Sequence, residues 1–272
     1  KFVKLLFLER PDIVLVFPSV GASLVEKGMM CWIAKGLNIS SIISPRGGAL
    51  LNQVNDSRFQ KFWIKLAFGG ASKVLCQGPA WQRFAIEILE FKRQDAPIIF
   101  NWTASQELLD IGRKKLCQPS RGTVRLLFLG WVDEEKGVLD LIHVLSELVP
   151  THDLHLTIAG KGNAEVRLKN IVHESSLSSR VTFSGWVQDE DLNNLMTDSD
   201  VLILPSWAEG LPNAMVEAMA AGLAVGVSAV GNIPDVIRDG KEGLLFPARD
   251  RESLKMVITC LIDDLDLRLD LA

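Results

Sequence analysis

The sequence predicts an α/β protein of two domains, each a doubly wound parallel sheet with helices on both faces. Three observations carry that reading. Apolar runs of four to seven residues recur without the in–out alternation of a half-exposed strand. Stretches of helical spacing separate them, and strand–helix alternation gives parallel sheets. A Pro/Ser/Gly stretch, Cys117–Thr123, divides the chain where its charge changes sign.

Taken in order, Ile13–Phe17, Ile39–Ser44, Lys73–Cys76 and Pro97–Phe100 read as strands of a first domain, residues 1–118. The second domain, 119–272, opens with the strand Val124–Gly130 and the helix Val138–Val149. Strands follow at His155–Gly160, Arg180–Gly185, Val201–Ser206, Leu223–Ala229 and Gly243–Pro247, with helical patterns between them. No internal repeat or low-complexity tract is visible.

Composition narrows the function classes. The chain has 272 residues, 48% of them apolar, enough for two ordinary cores. Cys31, Cys76, Cys117 and Cys260 stand far apart and fit no metal or redox spacing, so they read as reduced, buried thiols of a cytoplasmic protein. The longest uncharged stretches are Ile13–Val25, too short to span a bilayer, and Ala218–Pro234, which glycines interrupt. Residues 1–120 carry 16 Lys+Arg and 9 Asp+Glu, or +7. The rest carry 29−16=13 and 33−9=24, or −11. The basic half therefore faces something anionic. Nothing in the chain points to nucleic acid.

The chemistry-bearing stretch is PSWAEGLPNAMVEAMAAG, Pro205–Gly222. It leaves the carboxyl end of a buried strand, where doubly wound sheets place ligands. Pro212 suits a first helical position and Gly222 a helix stop. The N–H groups around Leu211–Asn213, with the helix dipole, favour an anion by roughly 0.3–1 kcal/mol, up to ~2 when partly buried. Glu209 and Glu217 flank that start, and carboxylates suit vicinal hydroxyls. An anion between two hydroxyl-binding acids describes a sugar–diphosphate–ribose ligand. Taken alone, the same acids read as a loop charge and a solvated helix position.

The stretch PSWAEGLPNAMVEAMAAGLAV…GNIPDVIRDGKEGLLFP resembles the retaining, nucleotide-sugar-dependent glycosyltransferases of the group 1 type, over about residues 124–263 and more loosely over 11–120. The resemblance implies the GT-B fold: two Rossmann-like doubly wound domains, the donor held mainly by the second. The E-x7-E signature falls on Glu209, which the family turns to the donor sugar, and Glu217, on the ribose. Gly210, Leu211, Pro212 and Asn213 match the turn whose backbone approaches sugar and phosphate. GWVDEEKG supplies Gly130 and the phosphate-binding pair Lys136–Gly137. The family's arginine after that glycine is Trp131 here, and Arg125, inside the strand, does not replace it. FSGWV points to Trp186 and Val187 as nucleobase contacts, with core packing the other reading of Trp186. AGKGN places Gly160 on a donor-facing loop, but fails as a dinucleotide fingerprint because Glu165 replaces the third glycine. Family members begin with a strand and glycine-rich loop and end with a helix returning to the first domain. The expectation is therefore a first domain truncated at its N-terminus.

Other clusters read as structural. Asp198-Ser199-Asp200 precedes its strand and reads as a helix-end turn, and His152, His155 and His143 lack a third ligand. The expectation is no cofactor and no divalent metal. In Arg58–Phe68, Phe59, Phe62, Trp63 and Leu66 form a stripe, with Arg58, Lys61 and Lys65 largely off it. The helix either buries that stripe on its own sheet or offers a basic amphipathic surface to anionic lipid. Arg46, in SPRGGAL, is the candidate acceptor or phosphate contact, and Asn101-Trp102 reads as structural.

The expected reaction is transfer of a hexosyl group from a nucleotide diphosphate sugar to a hydroxyl of a glycan or lipid-linked acceptor in cell-surface polysaccharide synthesis. Lys136 and the helix start would hold the leaving diphosphate, with Glu209 on the hexose. The expected location is cytoplasmic and peripheral at the inner face of the membrane. Two readings stay open: a nucleotide-sugar epimerase of the same fold, and a noncatalytic nucleotide-sugar-binding or membrane scaffold protein.

Overall fold

The computed structural model describes residues 2–46, 48, 50–51, 58–101, 103–117 and 122–272. Residues 118–121 of the linker, Gly47 of the Arg46 turn and Trp102 lie outside the described residues. The chain forms two compact units: Lys1–Asn101 with Ala208–Leu211, and Trp102–Trp207 with Pro212–Ala272.

The first unit holds helices α1 (Phe2–Glu9), α2 (Ala22–Gly36), α3 (Arg58–Phe68) and α4 (Pro79–Glu87) around a parallel sheet of order β1-β2-β3. These strands are Ile13–Val16, Ser40–Ile43 and Lys73–Val74. The predicted fourth strand continues the sheet as a single bridge, Cys76 to Ile98. The expected cover on both faces fails at β1, where Val14 and Val16 are buried but Ile13 and Leu15 are exposed. Helix α3 buries Ile64 and Phe68, while Phe59, Phe62, Trp63 and Leu66 all face outward. The stripe read as a candidate core face is thus a surface, and a different arc of the helix packs inward, against α2.

The second unit is a six-stranded parallel sheet of order β6-β5-β4-β7-β8-β9. Its strands are β4 (Val124–Leu129), β5 (Leu154–Ala159), β6 (Val181–Gly185), β7 (Val201–Leu204), β8 (Ala224–Ser228) and β9 (Leu244–Phe246). Every residue of β7 and β8 is buried, as non-alternating apolar runs require of a sheet covered on both faces. The chain lays strands outward in one direction from β4, then returns to start the other direction at β7. The two starting strands pair at Leu126–Val201 and Leu127–Leu202. The topological switch therefore lies between β4 and β7, and its carboxyl side is the crevice such sheets offer to ligands.

Helices α5 (Gln106–Cys117), α6 (Val138–Leu148), α7 (Glu165–Glu174), α8 (Asp189–Asp198), α9 (Asn213–Ala220), α10 (Ile233–Val236), α11 (Arg251–Asp263) and α12 (Leu265–Leu271) complete this unit. Helix α6 is amphipathic with seven buried residues and packs on α7 and α11. Fully burying each such aliphatic side chain contributes about 1.5–3 kcal/mol. Helix α5 precedes the linker in sequence, yet it packs on α8 and α9 and groups with the second unit. Gly112 permits this, because a Cβ there would meet the Ala220 carbonyl at 2.6 Å.

Candidate donor site

The carboxyl ends of β4 and β5 are joined by backbone. The Gly130 N–H donates to the Ala159 carbonyl at 3.0 Å, and Val132 N–H to Lys161 at 3.0 Å. The Ala164 N–H returns to the Val132 carbonyl at 2.9 Å, and the Asp133 carboxylate accepts from Asn163 N–H at 2.8 Å. A Cβ on Gly160 would land on the Gly130 carbonyl oxygen, so only glycine lets the two strand ends approach this closely.

One turn of 3₁₀ helix, Glu134–Lys136, follows β4, and Gly137 closes it in the left-handed region at φ 67°. A Cβ on Gly137 would strike the Pro205 carbonyl, so the Lys136–Gly137 turn sits directly on the exit of β7. Lys136 is half-buried there. The Trp207 N–H donates to the Glu135 carbonyl at 2.8 Å, tying the two loops at a second point. The indole N–H of Trp207 reaches Asp140 at 3.4 Å, and Asp140 also accepts from Arg251 Nε at 2.6 Å. The Arg249 guanidinium lies over the Trp207 ring, 4.1 Å from its centroid.

Helix α9 starts at Asn213 with Pro212 as its N-cap, one position later than the sequence suggests. The proline has no side-chain oxygen with which to cap the first turn. The far end closes as expected: Leu223 N–H bonds the Ala218 carbonyl at 3.0 Å and Gly222 N–H the Met219 carbonyl at 3.1 Å. Glu217 is half-buried one turn inside. Burial pushes its carboxyl above the ordinary range, opposed by a hydrogen bond with the Thr103 hydroxyl. Thr103 also donates to the Asn213 carbonyl at 3.5 Å.

Within the second unit the structure thus brings Gly130, Lys136, Gly160 and Val187 to the ends of β4, β5 and β6, with Pro212, Asn213 and Glu217 on the chain leaving β7. Glu209, Gly210 and Leu211 group with the first unit, as does Arg46. There Asn101 is the centre of a polar network that the sequence reading took for a plain structural residue. Its side-chain oxygen accepts from Arg46 at 2.7 Å and from Gln77 at 3.0 Å, and its amide donates to the Leu211 carbonyl at 2.6 Å. A Cβ on Gly210 would meet the Gln77 side-chain oxygen, so the glutamine fits against bare backbone. The only sequence hint of this network was an asparagine closing the fourth strand of the first half.

The remaining expectations resolve locally. Asp198 ends α8, and the Asp200 carboxylate accepts from the Arg125 N–H at 2.9 Å, so this pair of acids is a helix-end turn. Cys31 and Cys76 are buried, and burial pushes the Cys76 thiol up to about 12. Cys117 and Cys260 are exposed, which corrects the reading of all four as buried. Both lie at exposed positions of helices α5 and α11. Among the described residues, no helix is long and apolar enough to cross a membrane.

Comparison with known proteins agrees with this geometry. The lipopolysaccharide core biosynthesis glycosyltransferase LpsE of Rhizobium meliloti is 28% identical over 206 residues, 75% of this chain and 58% of that protein. The 2-deoxystreptamine glucosyltransferase of Streptomyces kanamyceticus is 28% identical over 153 residues, 56% of this chain and 40% of that protein. The chain thus spans about half the length of these relatives. The crystal structure of Anabaena HepE with UDP-glucose superposes with a TM-score of 0.75 at 20% identity, over 99% of this chain and 75% of that one. The sucrose-phosphate synthase of Thermosynechococcus elongatus superposes at 0.78 and 20% identity, over 99% and 69%. These neighbours set the fold as GT-B. Residues 118–272 match the family described as glycosyl transferases group 1, and the chain belongs to that family.

Proposed function

We propose that the chain carries the donor site of a retaining hexosyltransferase, which moves a sugar from a nucleotide diphosphate donor to a hydroxyl of a glycan or lipid-linked acceptor in cell-surface polysaccharide synthesis. One observation carries the reading most. The Lys136–Gly137 turn is pinned to the exit of β7, at the switch point of the sheet, and the chain leaving β7 leads to the start of α9. A lysine and a helix start stabilise the charge that develops as the diphosphate departs. Glu217 holds the ribose hydroxyls and Glu209 orients the hexose. The leaving phosphate takes the acceptor proton, and no divalent metal is required. That HepE was crystallised with UDP-glucose supports a nucleotide-sugar donor.

The reading places the protein in the cytoplasm at the inner membrane face. The exposed Phe59, Phe62, Trp63 and Leu66 of α3 support contact with an anionic lipid surface. Sedimentation with liposomes tests this, and equal recovery in the supernatant with and without anionic lipid refutes it. Arg46, 2.7 Å from Asn101, is the proposed acceptor or phosphate contact. Trp131 favours a second reading, a noncatalytic nucleotide-sugar binder, because it puts an indole where a phosphate-binding cation would serve catalysis. An epimerase is the third. Donor hydrolysis by the purified chain, abolished in Glu209→Ala and Lys136→Ala, supports the transferase. Isomerised donor without transfer identifies the epimerase, and binding without turnover identifies the noncatalytic protein.

A further inference from the structure

An asparagine side chain ends in a short planar group that accepts on one side and donates on the other. Asn101 meets both demands at once. On one side stand the Arg46 guanidinium, which can only donate, at 2.7 Å, and the Gln77 amide nitrogen at 3.0 Å. On the other stands the Leu211 carbonyl, which can only accept, at 2.6 Å. These neighbours fix the direction of the amide, because turning it over would set donor against donor and acceptor against acceptor. Aspartate has the right shape and lacks the donor; leucine has the right shape and lacks both.

The Leu211 carbonyl closes the turn Glu209–Gly210–Leu211. That turn groups with the first unit, although the chain on either side of it groups with the second. Two close approaches seat it there. A Cβ on Gly48 would land on the Glu209 carbonyl, and one on Gly210 would stand 2.7 Å from the Arg46 carbonyl. Contacts of this kind set how near the turn can come and do not set its tilt. The Leu211 side chain is buried, but apolar burial is non-directional. The bond from Asn101 supplies the direction, since it acts on the plane of the Leu211 peptide. Its other partners form a firm support: Gln77 is buried, and the Arg46 guanidinium lies 5.0 Å from the Phe17 ring centroid.

We infer that Asn101 is a positioning residue for Glu209. Its amide fixes the Leu211 peptide, and with it the turn that carries the Glu209 carboxylate to the hexose of the donor. This rests on the donor reading above. Asn101 acts through Glu209 alone, so it has no part in holding the nucleotide, which that reading gives to Lys136 and Glu217.

Calorimetry on the full chain tests it, with two pairs of probes: uridine diphosphate and UDP-glucose, guanosine diphosphate and GDP-mannose. Within a pair, the ratio of the two affinities isolates the sugar. Asn101→Asp keeps the acceptor for Arg46 and Gln77 and loses only the donor to Leu211. It should shift the ratio against the sugar nucleotide by about 10- to 100-fold, the range of one hydrogen bond to a charged group, and leave the diphosphate within about twofold. Glu209→Gln should shift the ratio in the same direction. In the Glu209→Gln background, Asn101→Asp should then change the ratio by less than about twofold. A merely structural asparagine would weaken diphosphate and sugar nucleotide alike, or add its loss to that of Glu209→Gln, and either result overturns the inference. An unchanged ratio in Asn101→Asp overturns it as well. If Glu209→Gln leaves the ratio unchanged, the inference falls with the hexose contact, while the phosphate end of the donor reading stands. If the wild-type chain binds none of the four probes, both fall together.

Discussion

Replacing Gly137 with alanine should destabilise the second unit for two separable reasons. The residue is left-handed at φ 67° and ψ 12°, which costs an L-residue about 1–2 kcal/mol. Its new Cβ would also fall on the Pro205 carbonyl, a backbone atom at the exit of β7 that cannot rotate aside. Overpacking of this kind costs about 1–3 kcal/mol more, for a sum of about 2–5 kcal/mol. Gly240 is the internal control: its φ is 73°, and a Cβ there would meet nothing within 4 Å. Gly240→Ala should cost only the backbone term, about 1–2 kcal/mol. At about 2–4 °C per kcal/mol for a domain of this size, Tm should fall by about 4–20 °C in Gly137→Ala and about 2–8 °C in the control. Asparagine separates the two terms, since it tolerates the left-handed region but brings a Cβ. Gly137→Asn should remain destabilised while Gly240→Asn approaches wild type. Thermal melts followed by circular dichroism, with urea titrations for ΔG, measure all four. Equal losses at 137 and 240 would refute the claim that the lysine turn is seated on β7.

Burial holds the Lys115 ammonium down at about 8 from its ordinary 10.5, against the pull of Asp200 and Asp198. Below pH 8 the lysine is charged in both folded and unfolded states and the full penalty applies; above 10.5 it is neutral in both. Stability should therefore rise between pH 8 and 10.5, by at most about 3 kcal/mol, and Lys115→Met should flatten that rise in urea titrations across the window. An unchanged slope in the variant would assign the rise to other groups. Asp250 caps α11 through Ser253 N–H at 3.0 Å and the Ser253 hydroxyl at 2.7 Å, so Asp250→Ala should lose about 1 kcal/mol in the same assay. Asp140→Asn keeps the shape but removes the charge that holds Arg251 and the Trp207 indole, and should cost about 1–3 kcal/mol. Its specific sign is faster hydrogen exchange at the Trp207 amide, and unchanged exchange there would show that the network does not hold the loop.

Much of the second unit was legible because its strands are long apolar runs that end in glycine. VRLLFLG and HLTIAG each announce both a buried strand and the place where it stops. The helix after β7 was legible from Pro212 and Gly222, which punctuate the chain for stereochemical reasons that hold in any fold. What sequence could not show is pairing at a distance. Asn101 reads as one more polar loop residue, and only the folded chain brings Arg46, Gln77 and Leu211 onto it. The rings of Trp131 and Trp186 lie with centroids 5.3 Å apart, yet the residues are 55 positions apart and no period links them. Helix α3 misled for a different reason. Its apolar residues outnumber those one face can bury, so the spacing of the larger aromatics pointed to the wrong arc, and the smaller set Ile64 and Phe68 packs inward. The position of α5 was hidden likewise, because a linker's composition says nothing of which neighbour the helix before it prefers.

The glycine row at the ends of β4, β5 and β6 separates what the scaffold must conserve from what it can vary. A side chain at Gly160 would strike the Gly130 carbonyl at the adjoining strand end, whereas positions 131 and 186, one step beyond the glycines that follow β4 and end β6, have half their surface free. Changes of ring size or polarity there leave the hydrogen-bonded lattice behind them untouched. A laboratory library confined to those two codons would vary this edge at little risk to solubility or yield, since neither indole is part of the buried core.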